Sequence, residues 1–255
     1  MIEAQNLSVA YEKHLILRNI DLRFEANSVT ALVGPNGCGK STLLRTLAGL
    51  QKPQSGQVML QDCPLHGLKR KAIAQKIAYM AQSPQAPEGL SVRQLVEHGA
   101  FARRRLFKRQ DQEEVNDLLA ACGLTQLAER PFAEMSGGEQ QRAWIAMSLF
   151  QKASFLLLDE PTSSLDLGYQ INILRLIETL RKTQQFGVIM VLHDINQACY
   201  FADRIVALKD GIVLNEGPPD RVISSNLLRN LYGAEVTVLQ HPKTVGITCV
   251  PDYHS

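Results

Sequence analysis

The chain has no long hydrophobic run: nowhere do its apolar residues approach the roughly 18 in succession that a membrane-spanning helix needs. Any work at a membrane therefore has to be reached through another component. Its first residues, "MIEAQNLSVAYEK", offer acids and amides where a secretion signal needs a basic start and an apolar stretch. Excess charge of one sign is also missing, with 27 Lys and Arg against 25 Asp and Glu over 255 residues, which argues against a dedicated polyanion binder. Cysteine is sparse: the five (Cys38, Cys63, Cys122, Cys199, Cys249) are odd in number and form no CxxC pair. That fits neither a disulfide framework nor a structural zinc site and points to a reducing cytoplasm. No internal repeat or low-complexity segment is visible. What is present, 45% hydrophobic residues, suffices for a substantial core in one large or two small domains.

The first 30 residues alternate, with Leu7, Val9 and Tyr11 on one face and Ile20, Leu22 and Phe24 on another, as half-buried antiparallel strands do. Continuous apolar runs follow at "VTALVG", "FLLLDE" and "GVIMVLH", the pattern of strands covered on both faces by helices. An α/β core is expected. From about residue 88 to 135 the pattern turns helical: "DQEEVNDLLAACG" spaces Val115, Leu118, Leu119 and Cys122 along one face, with Asp111 and Gly123 as caps. A helical segment therefore interrupts the core. Ile173, Ile177 and Leu180 form a later helical stripe, and "RIVALKDGIVLNEG" reads as a hairpin turning at Asp210 and Gly211. The last 20 or so residues read as short strands.

The chemistry is concentrated in a few strings. "GPNGCGKST" at 34 to 42 follows one buried run and opens a helix. Gly34, Gly37 and Gly39 permit a nest of backbone N–H groups aimed at one anion, Lys40 adds a positive charge, and the helix directs its positive dipole end to the same place. From Gly34 to Ser41 the string fits G-x-x-x-x-G-K-[ST], with the Ser41 hydroxyl placed for the Mg²⁺ of a nucleoside triphosphate. A glycine-rich turn that only caps a helix is the alternative, and it does not explain the lysine. Hydrolysis needs an acidic pair, and "FLLLDE" ends in Asp159 and Glu160. Asp159 is placed to hold the Mg²⁺ shell and Glu160 to polarise a water for in-line attack on the γ-phosphate. His193 closes another buried strand, where a lone histidine is more often structural than catalytic. In "MSGGEQQR" at 135 to 142, Ser136 and Glu139 form an S-x-x-E capping box. Two glycines in the first turn cost helix stability and capping does not require them; they make sense if a phosphate approaches the backbone there. Cys38 lies beside Lys40 and a helix N-terminus, both of which favour the thiolate, and a reactive thiol stands against an inert small residue.

Together these strings resemble the ATP-binding subunits of ABC transporters. "GPNGCGKST" is similar to the Walker A loop, Gln82 in "YMAQ" to the Q-loop, "MSGGE" to the signature, "FLLLDE" to Walker B, "SSLD" at 163 to 166 to the D-loop and His193 to the H-loop, in the family's order. The resemblance spans about residues 1 to 235, leaving a short tail at 236 to 255. It implies a P-loop NTPase core with a mixed, mainly parallel sheet, an N-terminal antiparallel β subdomain and the inserted helical subdomain. It also implies ATP and Mg²⁺ as cofactors. Nucleotide binding falls to Gly34, Pro35, Asn36, Gly37, Cys38, Gly39, Lys40, Ser41 and Thr42, with Tyr11 stacking on adenine. The metal falls to Ser41, Gln82 and Asp159, and catalysis to Glu160, His193 and Gln82. Two copies are implied to pair head to tail, each ATP lying between Lys40 of one and Ser136, Gly137 and Gly138 of the other, with Asp166 coupling the pair. Met135 and Glu139 stand where leucine and glutamine are usual in the signature, and the capping box accommodates the glutamate.

A closer resemblance concerns cargo. "QQRAWIAMSL", "LHDINQACYFADRIVALKDG" and "EGPPDRVI" are similar to the ATPases of importers for ferric siderophores, haem and cobalamin, and a ferric siderophore is the expected cargo. The implied partners are integral membrane permease subunits and, indirectly, a periplasmic or surface substrate-binding protein; the implied place is the cytoplasmic face of the inner membrane. "SPQAPEGLSVRQLV" matches the position where the family meets the permease. The basic run "ARRRLFKR" at 102 to 109 reads as a solvated face before it reads as a contact with permease or lipid. The same engine drives DNA-repair and ribosome-bound proteins, but these usually carry paired engines, long coiled coils or basic extensions. One engine, a short insert and near-neutral charge speak against nucleic acid as a partner.

Overall fold

A computed structural model describes residues 1–12, 14–102, 109–163, 165–240 and 246–252. In chain order the strands and helices begin with β1 (Ile2–Tyr11), β2 (His14–Phe24), β3 (Val29–Val33), α1 (Lys40–Leu47), β4 (Ser55–Leu60) and β5 (Cys63–Pro64). Then come α2 (Arg70–Ala74), β6 (Ile77–Met80), α3 (Val92–Glu97), α4 (Arg109–Ala121), α5 (Gly137–Phe150), β7 (Phe155–Leu158) and α6 (Leu167–Gln184). The chain closes with β8 (Gly187–Val191), α7 (Ile195–Phe201), β9 (Arg204–Lys209), β10 (Ile212–Gly217), α8 (Pro219–Val222), α9 (Ser225–Tyr232), β11 (Val236–Gln240) and β12 (Ile247–Pro251). These elements fall into two units, residues 1–68 with 187–255, and residues 69–186.

Two sheets of different character make up most of the first unit. β2, β1, β4 and β5 pair antiparallel in that order, burying Leu7, Val9, Leu17, Ile20, Leu22 and Phe24 as the alternation predicts. Tyr11 departs from that face. Register shifts between Leu7 and Val9 and again at Ala10 turn the strand end, and the Tyr11 ring is 41% exposed. The second sheet places β3 between β8 and β9, all parallel, and every residue of β3 and β8 is buried. That is what an unbroken apolar run requires. β10 returns antiparallel to β9 through Asp210 (φ 50°) and Gly211 (φ 79°), the paired positive angles of a primed hairpin turn. A Cβ at Gly211 would lie 2.1 Å from the Ile16 carbonyl oxygen, so the glycine also permits a close approach to β2. β11 and β12 form a separate antiparallel pair.

The second unit carries the parallel pair β6 and β7 and most of the helices. Helix α3 starts with a capping box from Ser91 and Gln94. In α4, Val115, Leu118 and Leu119 turn inward as their spacing dictates, with Cys122 buried just beyond. Asp111 is not the cap of α4: it lies inside the first turn and is buried, where a carboxylate still favours the helix dipole. Gly123 closes the helix in the left-handed conformation (φ 65°). α6 buries Ile173, Leu174 and Ile177. Phe132 and Trp144 meet edge to face at 5.8 Å. The charges of the basic run at 102 to 109 lie outside the described residues.

Candidate functional site

In the first unit the loop that leaves β3 at Val33 enters α1 at Lys40. Gly34, Gly37 and Gly39 have φ of 143°, 78° and 106°, backbone that other residues resist. At Gly34 a side chain is also excluded sterically, because a Cβ would lie 2.0 Å from the Leu208 carbonyl oxygen. Gly39 is the N-cap of α1, so no side chain caps that helix and its first turn holds no acid. The turn is thus electropositive and uncovered by any cap. The Lys40 ammonium, 5% exposed, donates to the carbonyls of Gly34 at 2.7 Å and Pro35 at 2.8 Å. A buried charge held by its own loop has already lost water, which favours an anion arriving beside it. Cys38 behaves otherwise than its neighbours in sequence foretell. It is 4% exposed, and burial pushes its pKa up, outweighing the lowering by Lys40.

The same unit holds His193, exposed two residues beyond the end of β8, and Asp194 beside it. The Asp194 carboxylate caps α7 by accepting from the N–H groups of Asn196 (2.7 Å) and Gln197 (3.2 Å). This cap fixes where the backbone turns just after His193.

The second unit brings Asp159, Glu160 and Gln82 together at the ends of β6 and β7. Asp159 is 3% exposed. Its amide donates to the Met80 carbonyl (2.9 Å), continuing the β6 and β7 pairing, and the Tyr79 hydroxyl reaches its carboxylate at 3.5 Å. Glu160 is half-buried, and Gln82 Nε2 donates to its Oε2 at 2.7 Å. Glu160 has φ 53°, and Pro161 behind it restricts the backbone further. Such a conformation typically costs about 1–3 kcal/mol and persists only where the surroundings impose it. Here the Glu160 carbonyl accepts from Gln141 Nε2 (3.0 Å), Ser163 Oγ (3.1 Å) and Ser163 N–H (3.3 Å).

The start of α5 lies in this unit too. Ser136 and Glu139 form the expected capping box: Ser136 N–H and Oγ donate to Glu139 Oε2 at 2.9 and 2.8 Å, and Glu139 N–H donates to Ser136 Oγ at 3.4 Å. These bonds from Ser136, with Arg142 nearby, hold the Glu139 carboxyl below its ordinary pKa. A Cβ on Gly137 would meet nothing within 4 Å, so this chain's own packing does not demand glycine there. Asp166 caps α6 by accepting from Tyr169 N–H at 3.1 Å. Gln170 closes the preceding turn through the carbonyls of Thr162 and Leu165; Ser164 lies outside the described residues.

Sequence reasoning passed over Gln141, Tyr79 and Ser163. Gln141 is 19 residues from Glu160, and no local pattern links a helix interior to a strand end. It also passed over the capping by Asp166 and Asp194, although an aspartate just before a helical run carries that signal. Oxygen donors of the kind Mg²⁺ takes are present: the Ser41 hydroxyl in one unit, the Asp159 carboxylate and Gln82 amide oxygen in the other. Among the described residues no three His, Cys, Asp or Glu gather for a metal.

The family model for ABC transporters matches residues 17–163. The chain belongs to the ABC transporter family. It is an ATPase and binds ATP. The petrobactin import ATP-binding protein of Bacillus anthracis is 41% identical over 98% of this chain and 93% of its own. The iron(3+)-hydroxamate import ATP-binding protein of Bacillus subtilis is 36% identical over 98% and 94%. Among solved structures, one described as a metal-chelate type ABC transporter, inward-facing, is 27% identical with a TM-score of 0.82 over 99% of this chain and 98% of its own. A dimeric bacterial ABC transporter cassette is 28% identical with a TM-score of 0.79 over 86% and 99%. Among the described residues of this ABC subunit, no helix is long and apolar enough to cross a membrane.

Proposed function

We propose that this ABC subunit hydrolyses ATP to power import of an iron(III)-siderophore complex across the bacterial inner membrane, bound peripherally to permease subunits on the cytoplasmic face. A periplasmic or surface substrate-binding protein delivers the cargo. The observation that carries this reading is likeness along nearly the whole chain, insert and C-terminal region included, to ATP-binding proteins named for importing iron complexes. The ATPase motif alone leaves direction and cargo open.

The residues divide the reaction as follows. Phosphate is held by the amides from Gly34 through Thr42 and by Lys40, and the exposed Tyr11 ring stacks on adenine. Ser41, Asp159 and Gln82 are the residues that would supply oxygens to Mg²⁺, which when bound would neutralise phosphate charge. Glu160 accepts a proton from water while the water oxygen attacks the γ-phosphorus, releasing ADP and phosphate. His193 orients the γ-phosphate. A second copy, paired head to tail, lays its Ser136, Gly137 and Gly138 against the same nucleotide, and Asp166 couples the two copies. The open space over Gly137 supports the approach of a nucleotide to that turn. Dimerisation of a related cassette supports the pairing.

Deleting the chain and growing cells on iron-limited medium with single siderophores tests the cargo. Growth should fail on at least one ferric siderophore and return on complementation. Normal growth on all of them, with loss of some unrelated uptake, would refute it.

A further inference from the structure

The turn at Glu160 is held from two directions. Ser163 supplies two hydrogen bonds to the Glu160 carbonyl from within the turn itself. Another comes from Gln141, a buried residue in the second turn of α5, whose side-chain amide donates at 3.0 Å. Packing alone would be served as well by leucine or methionine, which bring no buried amide to satisfy. The φ of 53° at Glu160 needs holding, because a residue released from it relaxes toward the common regions and swings its side chain away. Ser136 stands five positions before Gln141, about 7 Å along the helix axis at 1.5 Å per residue. The next residue, Arg142, braces the same helix against the start of α6: its guanidinium carbon lies 4.0 Å from the Tyr169 ring centroid. Its Nε has no hydrogen-bond partner among the described residues. A rigid helix therefore runs from one proposed nucleotide contact, Ser136 and Gly138, to the backbone of the proposed base.

We propose that Gln141 is a positioning residue for hydrolysis, fixing the left-handed turn that aims the Glu160 carboxylate and linking it to this chain's own signature turn. The inference rests on the reading that Ser136, Gly137 and Gly138 close over ATP held by the second copy. On that reading, engagement of the partner's nucleotide at the head of α5 steadies Gln141, and with it the base that serves this copy's own ATP. The two sites then fire together.

The test is Gln141→Met, which keeps length and loses the donor, measured by steady-state ATP hydrolysis and thermal denaturation in wild-type and Glu160→Gln backgrounds. In the wild-type background kcat should fall at least about tenfold, since misplacing a catalytic group by about 1 Å can cost about a hundredfold. KM for ATP and the melting midpoint should hold, and the Hill coefficient should drop toward one. In the Glu160→Gln background the substitution should add nothing, because the carboxylate it positions is gone. Ser163→Ala, which loosens the same carbonyl without touching α5, should lower kcat; it carries the positioning test if Gln141→Met does not fold. Equal losses in both backgrounds, wild-type turnover in Gln141→Met, or unchanged kcat in Ser163→Ala would overturn the inference while wild-type hydrolysis leaves the ATPase reading standing. Absence of hydrolysis in the wild type would remove both.

Discussion

Lys40 and Glu160 are asked to do separable things, and substitution should separate them. Glu160→Gln keeps shape and loses the proton acceptor, so hydrolysis should fall by about 10² to 10⁴ while ATP stays bound, and the pair should accumulate as a dimer in gel filtration with ATP. Lys40→Ala removes charge from the phosphate loop itself and should lose nucleotide binding and the ATP-dependent dimer together. Near-wild-type turnover in Glu160→Gln would move the base elsewhere, with His193 and Gln82 next to examine. Cys38 shows what a linear reading leaves out. Its sequence neighbours favour a thiolate, but desolvation depends on the three-dimensional surroundings and here it dominates, raising the pKa. Maleimide should therefore label Cys38 slowly near neutral pH and faster as the pH climbs past the ordinary thiol range of about 8.5, while the exposed Cys63 reacts first. Labelling of Cys38 at the Cys63 rate would contradict this. The identity of each motif residue was legible because phosphate chemistry demands particular types at fixed spacing. The positive φ of Glu160 and the amide that holds it were not, since both depend on a contact distant in sequence.

At the scale of elements, α5 carries the capping box that its Ser-x-x-Glu string encodes, and its Glu139 departs from the glutamine usual in the family. Removing the cap with Ser136→Ala should destabilise by about 0.5–2 kcal/mol. The Glu139 carboxyl has a folded pKa below its unfolded one, so its contribution is present above the unfolded value of about 4.3 and is lost as pH falls through the folded value. Thermal midpoints of wild type and Glu139→Gln should differ slightly at neutral pH and converge in acid. At neutral pH the same carboxylate engages the Ser136 hydroxyl and repels an approaching phosphate. Glu139→Gln should therefore tighten ATP-dependent dimerisation; weaker pairing, followed by gel filtration against ATP concentration, would contradict the argument. In the hairpin, Gly211→Ala meets both a positive φ and the Ile16 carbonyl and should cost more than about 1 kcal/mol in chemical denaturation. The buried strands and this turn were readable because an apolar run and an Asp-Gly pair each have few structural solutions. The twist that exposes Tyr11 was not, because a bulge depends on register with the partner strand.

For the whole molecule, parallel strands buried on both faces and an antiparallel sheet were legible from periodicity and from the resemblance. Cargo lies beyond periodicity, because cargo need not touch this subunit, and only likeness to named importers bears on it. The central claim is that ATP hydrolysis by this chain drives entry of an iron complex. It is tested most directly by uptake of radiolabelled ferric siderophore into cells lacking the chain, complemented with wild type or with Glu160→Gln. Uptake should be lost on deletion, restored by wild type and not restored by Glu160→Gln despite equal amounts of protein. Full uptake with Glu160→Gln, or undiminished uptake of every ferric siderophore in the deletion strain, would contradict the account.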